Sequence, residues 1–107
     1  MICTVHSIPI KPGKVTEAQE ATIKAAQYSK EKYPGVVDAQ VLSNISGRQH
    51  RLHLVIYYES FAVLEERRAQ NPADAEWQKI VAEARDALNF DASDYNLFQV
   101  HTWSEKT

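Results

Sequence analysis

The sequence predicts an α+β fold in which helices cover one face of a four-stranded antiparallel sheet. Three observations predict it. Strand-like and helix-like segments follow one another in the order β-α-β-β-α-α-β. The first long helical segment, residues 15–33, contains no Gly or Pro and is rich in Ala, Gln, Glu and Lys. The segment "RLHLVIYY", residues 51–58, is dense in branched and aromatic residues and carries little charge on either face, so both faces of a sheet need cover.

Each element has its own local reason. "ICTVHSIPI" (2–10) reads as a strand, ended by the turn signal "KPGK". In the following helix Val15, Ala18, Ala21, Ala25 and Tyr28 recur at helical spacing, Thr16 and Gln19 suit a capping box, and "YPG" (33–35) stops it. "VVDAQVLSNI" (36–45) alternates, with Val37, Ala39, Val41 and Ile45 assigned to one face. Ser46-Gly47 then turns the chain into the 51–58 strand. Ser60 suits the N-cap of a short helix, "FAVLEERRAQ". Asn71-Pro72 suits the start of another, with Asp74 and Glu76 in its positive first turn. There Trp77, Ile80, Val81, Ala84 and Leu88 form one apolar stripe, and "YNLFQVHTW" (95–103) supplies the last strand.

With the two later helices counted as one broken helix, the order is βαββαβ, the ferredoxin-like pattern. Residues 1–107 are expected to form a single domain with one core. Its helices cover one sheet face, for which Leu52, Leu54, Ile56 and Tyr58 are suited. The other face carries Val55 and Tyr57, with Leu97 and Trp103 if Phe98 and Val100 face the helices. Bare, such a face would be an apolar patch rare on monomers. A second copy packed sheet to sheet across a two-fold is the simplest cover, so a homodimer is expected.

Composition excludes several classes of function. A net charge of −2 and scattered positive residues provide no basic surface for nucleic acid. The single cysteine, Cys3, excludes an intramolecular disulfide and a thiolate zinc cluster. The N-terminus lacks the basic and apolar regions of a signal peptide, and no apolar run approaches a membrane span. A cytoplasmic protein is expected. There is no P-loop and no dinucleotide-binding glycine fingerprint.

Four histidines, at positions 6, 50, 53 and 101, are the residues best suited to chemistry. His6 is in step with Ile2, Thr4 and Ile8, towards the helices. His53 and His101 are assigned to the opposite face, so one chain does not readily converge three imidazoles on a metal, and no metal site is assigned. With Tyr58 and Trp77, His6 would line a pocket between sheet and helices, acting as base or hydrogen-bond donor towards a flat organic molecule. The same aromatics also suit plain packing, since Trp77 begins an apolar stripe and Tyr58 lies among Leu and Ile. Ser7 adjoins His6 but points to the other face, and no nucleophile arrangement is apparent.

The stretch "SGRQHRLHLVIYYESFAVLEERRAQNPADAEWQKIVAEARDAL" resembles NIPSNAP-type members of the dimeric α/β-barrel superfamily. "IPIKPGKVTEAQEA" is similar to the first strand, turn and helix entry found across that superfamily, antibiotic-biosynthesis-type monooxygenases included. The resemblance implies a dimer with a barrel-like core and a pocket between sheet and helices in each subunit. That superfamily includes cofactor-independent oxygenases, heme-binding enzymes, isomerases and members with no assigned activity. The functions expected of this chain are binding or transformation of a small hydrophobic or aromatic molecule, with cofactor-independent oxygenation or a non-catalytic dimeric interaction module as alternatives. Heme-degrading relatives carry an Asn seven residues before the turn glycine, with a Trp and a His on later helices. Here that first position is His6, and the last helix has Trp77 but no His, so no heme or other cofactor is assigned.

Overall fold

The computed structural model describes residues 1–47 and 50–102. β1 (Ile2–Pro9) leads through a turn into α1 (Val15–Lys32), and β2 (Val36–Ser43) and β3 (Arg51–Tyr58) follow as a hairpin. α2 (Phe61–Gln70), a 3-10 turn (Asn71–Ala73) and α3 (Ala75–Arg85) then run to a second 3-10 turn (Phe90–Ala92) and β4 (Asp94–Gln99). The sheet order is β2-β3-β1-β4, with every neighbouring pair antiparallel. This is the ferredoxin-like βαββαβ arrangement: β1-α1-β2 straddles β3, and β3 to β4 straddles β1.

Alternation places Ile8, Leu52, Leu54, Ile56 and Tyr58 on the helix side, where all are buried. The alanines of α1 let that helix approach closely. Ala25 and Ala26 meet Leu54, Ile56, Tyr58, Leu64 and Ile80, while Ala18 meets Ile8, Leu52, Ala84, Ala87 and Leu88. Leu52 is nearly sealed, at 1% exposure, and burial of such a side chain stabilises by about 1.5–3 kcal/mol.

Several local expectations give way to tertiary geometry. α1 begins at Val15 without a side-chain cap, so Thr16 and Gln19 form no capping box. The turn at Gly13 (φ +76) sets the entry, leaving Thr16 already inside the helix. Asn71-Pro72 opens the 3-10 turn, and Asp74 caps α3 by accepting from the Trp77 N–H at 3.1 Å.

A bulge between Val36 and Asp38 resets the alternation of β2. Val36, in place of Val37, therefore joins Ala39 and Val41 against the core, and Ile45 stands 97% exposed in the hairpin loop.

In β4 the parity is the reverse of that expected. Cross-strand partners share a face, and Leu97 lies opposite Thr4 on the helix side while Phe98 lies opposite Cys3 on the outer side. The pattern "YNLFQV" suits either parity, and only pairing with β1 selects one. The strand ends at Gln99, so His101 is exposed beyond it, and Trp103 lies outside the described residues.

Candidate functional site

Between the sheet and helices α1 and α3 lies a cavity of about 360 Å³, walled by His6, Leu54, Trp77, Ile80, Phe90 and Ser93 among others. A smaller cavity of about 130 Å³ adjoins it, bounded by Tyr58, Tyr95, Arg67, Arg68 and Asn71. His6, Leu54 and Trp77 line both. The void exists because α1 presents Ala21, Thr22 and Ala25 to this side, and small side chains leave a gap that Leu would fill.

Strand alternation aims His6 into this space, with Leu54 and Tyr95 as its cross-strand neighbours. Its Nε2 lies 2.9 Å from Ser93 Oγ. The Ser93 hydroxyl donates its one proton to the Phe90 carbonyl at 2.7 Å, so it must accept from His6 Nε2–H. A neutral His6 then carries its lone pair on Nδ1, which has no hydrogen-bond partner among the described residues. The Tyr95 ring meets the imidazole edge-on at 5.4 Å, and Phe90 tilts against it at 5.8 Å. Burial lowers the His6 pKa, favouring the neutral base at physiological pH. The arrangement is a tautomerically fixed imidazole in a largely apolar chamber.

Trp77 sits in the first turn of α3, held by the Asp74 cap, and stacks on Tyr28 with ring centroids 6.0 Å apart. Tyr58, at the end of β3, is 3% exposed and accepts from Arg67 Nη1 at 3.1 Å. Burial raises its pKa while Arg67 opposes the rise. His6, Tyr58 and Trp77 thus share one region, with Tyr58 confined to the smaller cavity. Arg67, Phe90, Ser93 and Tyr95 were not anticipated. For Arg67 a signal existed: it falls three residues after Leu64, and these two are the buried residues of α2. Ser93 and Phe90 come from a connection whose path no periodicity specifies.

On the outer face a separate chain of hydrogen bonds appears. Ser7 Oγ lies 2.6 Å from His53 Nδ1, and His53 Nε2 lies 2.6 Å from Asn44 Oδ1. Ser7 therefore meets His53 across the sheet instead of its neighbour His6, tying the hairpin to β1. Both His53 nitrogens are occupied within the chain, and His101 lies beyond the strand. Among the described residues no three His, Cys, Asp or Glu side chains converge as a metal site would require. Among the described residues no helix is long and apolar enough to cross a membrane.

No protein-family model matches the chain, and no curated protein matches it in sequence. Solved structures match its fold over nearly their full length. An uncharacterised NIPSNAP domain protein from Burkholderia xenovorans superposes with a TM-score of 0.74 at 16% identity, covering 99% of this chain and 100% of that one. SnoaB, a cofactor-independent oxygenase from Streptomyces nogalater, superposes with a TM-score of 0.73 at 11% identity, covering 98% and 97%. A protein from Agrobacterium tumefaciens reaches 0.76 at 14% identity, covering 97% of each chain. At these identities the likeness shows the fold alone, the ferredoxin-like fold implied by the NIPSNAP-type and monooxygenase-type resemblance.

Proposed function

We propose that this chain binds and transforms a small hydrophobic or aromatic molecule in the cavity between sheet and helices, with His6 as the base and Tyr58 and Trp77 as walls. The observation that carries this reading is the His6–Ser93–Phe90 chain, which fixes Nε2 as donor and leaves Nδ1 without a hydrogen-bond partner among the described residues, on a side chain that lines an apolar void. A core histidine serving only packing would use both nitrogens internally, as His53 does on the outer face. Proton abstraction from an acidic O–H or C–H of a flat substrate is the chemistry this geometry suits. Cofactor-independent oxygenation is the reaction class favoured by the fold of SnoaB, as an analogy between folds.

The active unit in this reading is a homodimer joined through the outer sheet face, where Phe98 and Leu42 stand half exposed. A non-catalytic dimeric interaction module is the competing reading, favoured if the cavity accepts no ligand. Replacement of His6 by Ala tests the choice. Turnover of, or saturable binding by, an aromatic ligand found by screening is expected to be lost in a variant that keeps the wild-type circular dichroism and mass. Unchanged activity would remove His6 from the mechanism.

A further inference from the structure

We infer that Arg67 recognises a carboxylate, so that the ligand of the sheet–helix cavity is a hydrophobic organic acid; this rests on the reading of that cavity as a ligand site. Arg67 is 3% exposed, and its guanidinium packs against the rings of Tyr33 and Trp77, 4.3 and 4.6 Å from their centroids. Nη1 donates to the Tyr58 hydroxyl at 3.1 Å, and Nη2 donates to Ser29 Oγ at 2.6 Å. Among the described residues Nε has no hydrogen-bond partner and no ion pair includes Arg67. The Asp74 carboxylate, which the same tyrosine network reaches, is taken up by the hydroxyls of Tyr28 and Tyr33 and by the Trp77 N–H.

A buried cation without an anion is strongly disfavoured, and two aromatic rings offset that only in part. Among the described residues, the smaller cavity is lined by Arg67 and Arg68 and by no Asp or Glu. Arg68, exposed at its rim, donates to the Tyr95 hydroxyl at 3.1 Å and also makes no ion pair among the described residues. The missing counter-charge therefore belongs to the occupant.

Its shape follows from the surroundings of the guanidinium. The rings of Tyr33 and Trp77 pack against it and its two terminal nitrogens already donate to Tyr58 and Ser29, so the little of its edge that is left suits a flat two-oxygen carboxylate better than a bulkier tetrahedral phosphate. Because His6, Leu54 and Trp77 line both cavities, an acid anchored at Arg67 extends its apolar body past His6 into the larger chamber.

Isothermal titration of the wild-type protein with naphthoate, naphthalenemethanol and naphthyl phosphate tests this. Naphthoate is expected to bind at one site about tenfold or more tighter than either analogue, the scale of one charge-assisted hydrogen bond. In Arg67→Met it is expected to fall to the level of the alcohol, whose own affinity is held. Equal binding of naphthoate and the alcohol by the wild type would overturn carboxylate recognition while leaving the cavity as a ligand site. Tighter binding of the phosphate would overturn the choice of anion. Binding of none of the three would remove the cavity reading, and this inference with it. If Arg67→Met does not fold, the wild-type comparison decides together with Arg68→Met and Arg67→Lys. Loss of the preference for naphthoate in Arg68→Met, with Arg67→Lys unaffected, would overturn the assignment to Arg67.

Discussion

His6 and Gly35 show what single residues determine in this molecule. Burial places the His6 pKa below its ordinary value of 6.5, so the unfolded chain takes up a proton that the folded chain resists. The stability contributed by neutral His6 is full above about pH 6.5 and is lost as pH falls towards the folded value. Urea denaturation across pH 5 to 8 should therefore show a steeper acid-side loss for the wild type than for His6→Gln; parallel curves would argue against a buried neutral imidazole. Any activity that uses His6 as base should have its acid limb below 6.5 for the same reason. Gly35 has φ +89, and a Cβ there would lie 2.7 Å from Val63 Cγ1. Gly35→Ala should destabilise by about 1–2 kcal/mol from the left-handed backbone alone, and further from the clash. A double-mutant cycle with Val63→Ala checks this: the two substitutions should be less harmful together than their sum, because removal of the Val63 methyls relieves only the clash.

The junction between α2 and α3 is organised by one carboxylate. Asp74 caps α3 and accepts from Tyr28 and Tyr33, joining the end of α1 to the start of α3. Its pKa is lowered by the hydrogen bond from Tyr28, then by that from Tyr33 and by the Trp77 N–H. A carboxylate with a depressed folded pKa stabilises above its ordinary value of 3.8, and that stability is lost as pH falls through the folded value. Asp74→Asn should thus melt below the wild type at neutral pH, and the two melting temperatures should converge under strong acid. A constant gap in thermal scans from neutral pH to strong acid would mean that the charge of Asp74 contributes nothing. Because Trp77 stands in the first turn that Asp74 caps, the same variant should loosen the wall of the cavity.

At the scale of the whole molecule, the homodimer proposed above rests on the outer sheet face. Its central positions Cys3 and Val55 are already buried within one chain, whereas Phe98 at the β4 edge is 51% exposed. Tyr95 and Leu97, on the helix side of the same strand, are 47% and 40% exposed. An edge strand that exposes an aromatic ring on each face, Phe98 on one and Tyr95 on the other, is a surface for association. Light scattering after size exclusion should give about 24 kDa, twice the chain mass of 12.2 kDa. Phe98→Glu should shift that mass towards the monomer with the melting transition still cooperative. A wild-type monomer would require a different explanation for the apolar edge.

The sequence by itself determined the order of elements and the helix-facing residues of β1 and β3, His6 and Tyr58 among them. These follow from local rules: period-two and period-3.6 patterning, turn residues, and one buried stripe per helix. Where a local pattern was degenerate, tertiary structure decided. Thr16 and Asn71 had the chemistry of helix caps, but Gly13 and Asp74 took over the turns. Val37 lost its place to Val36 through a bulge created by pairing with β3. Leu97 and Phe98 exchanged faces because neighbouring apolar residues leave parity to the partner strand. The same holds for the site. Ser93 orients His6 from 87 residues away in sequence, and Arg67 loses solvent only when Tyr33, Trp77 and Ser29 close around it. Long-range proximity of this kind depends on how the helices dock on the sheet, which no window of sequence encodes.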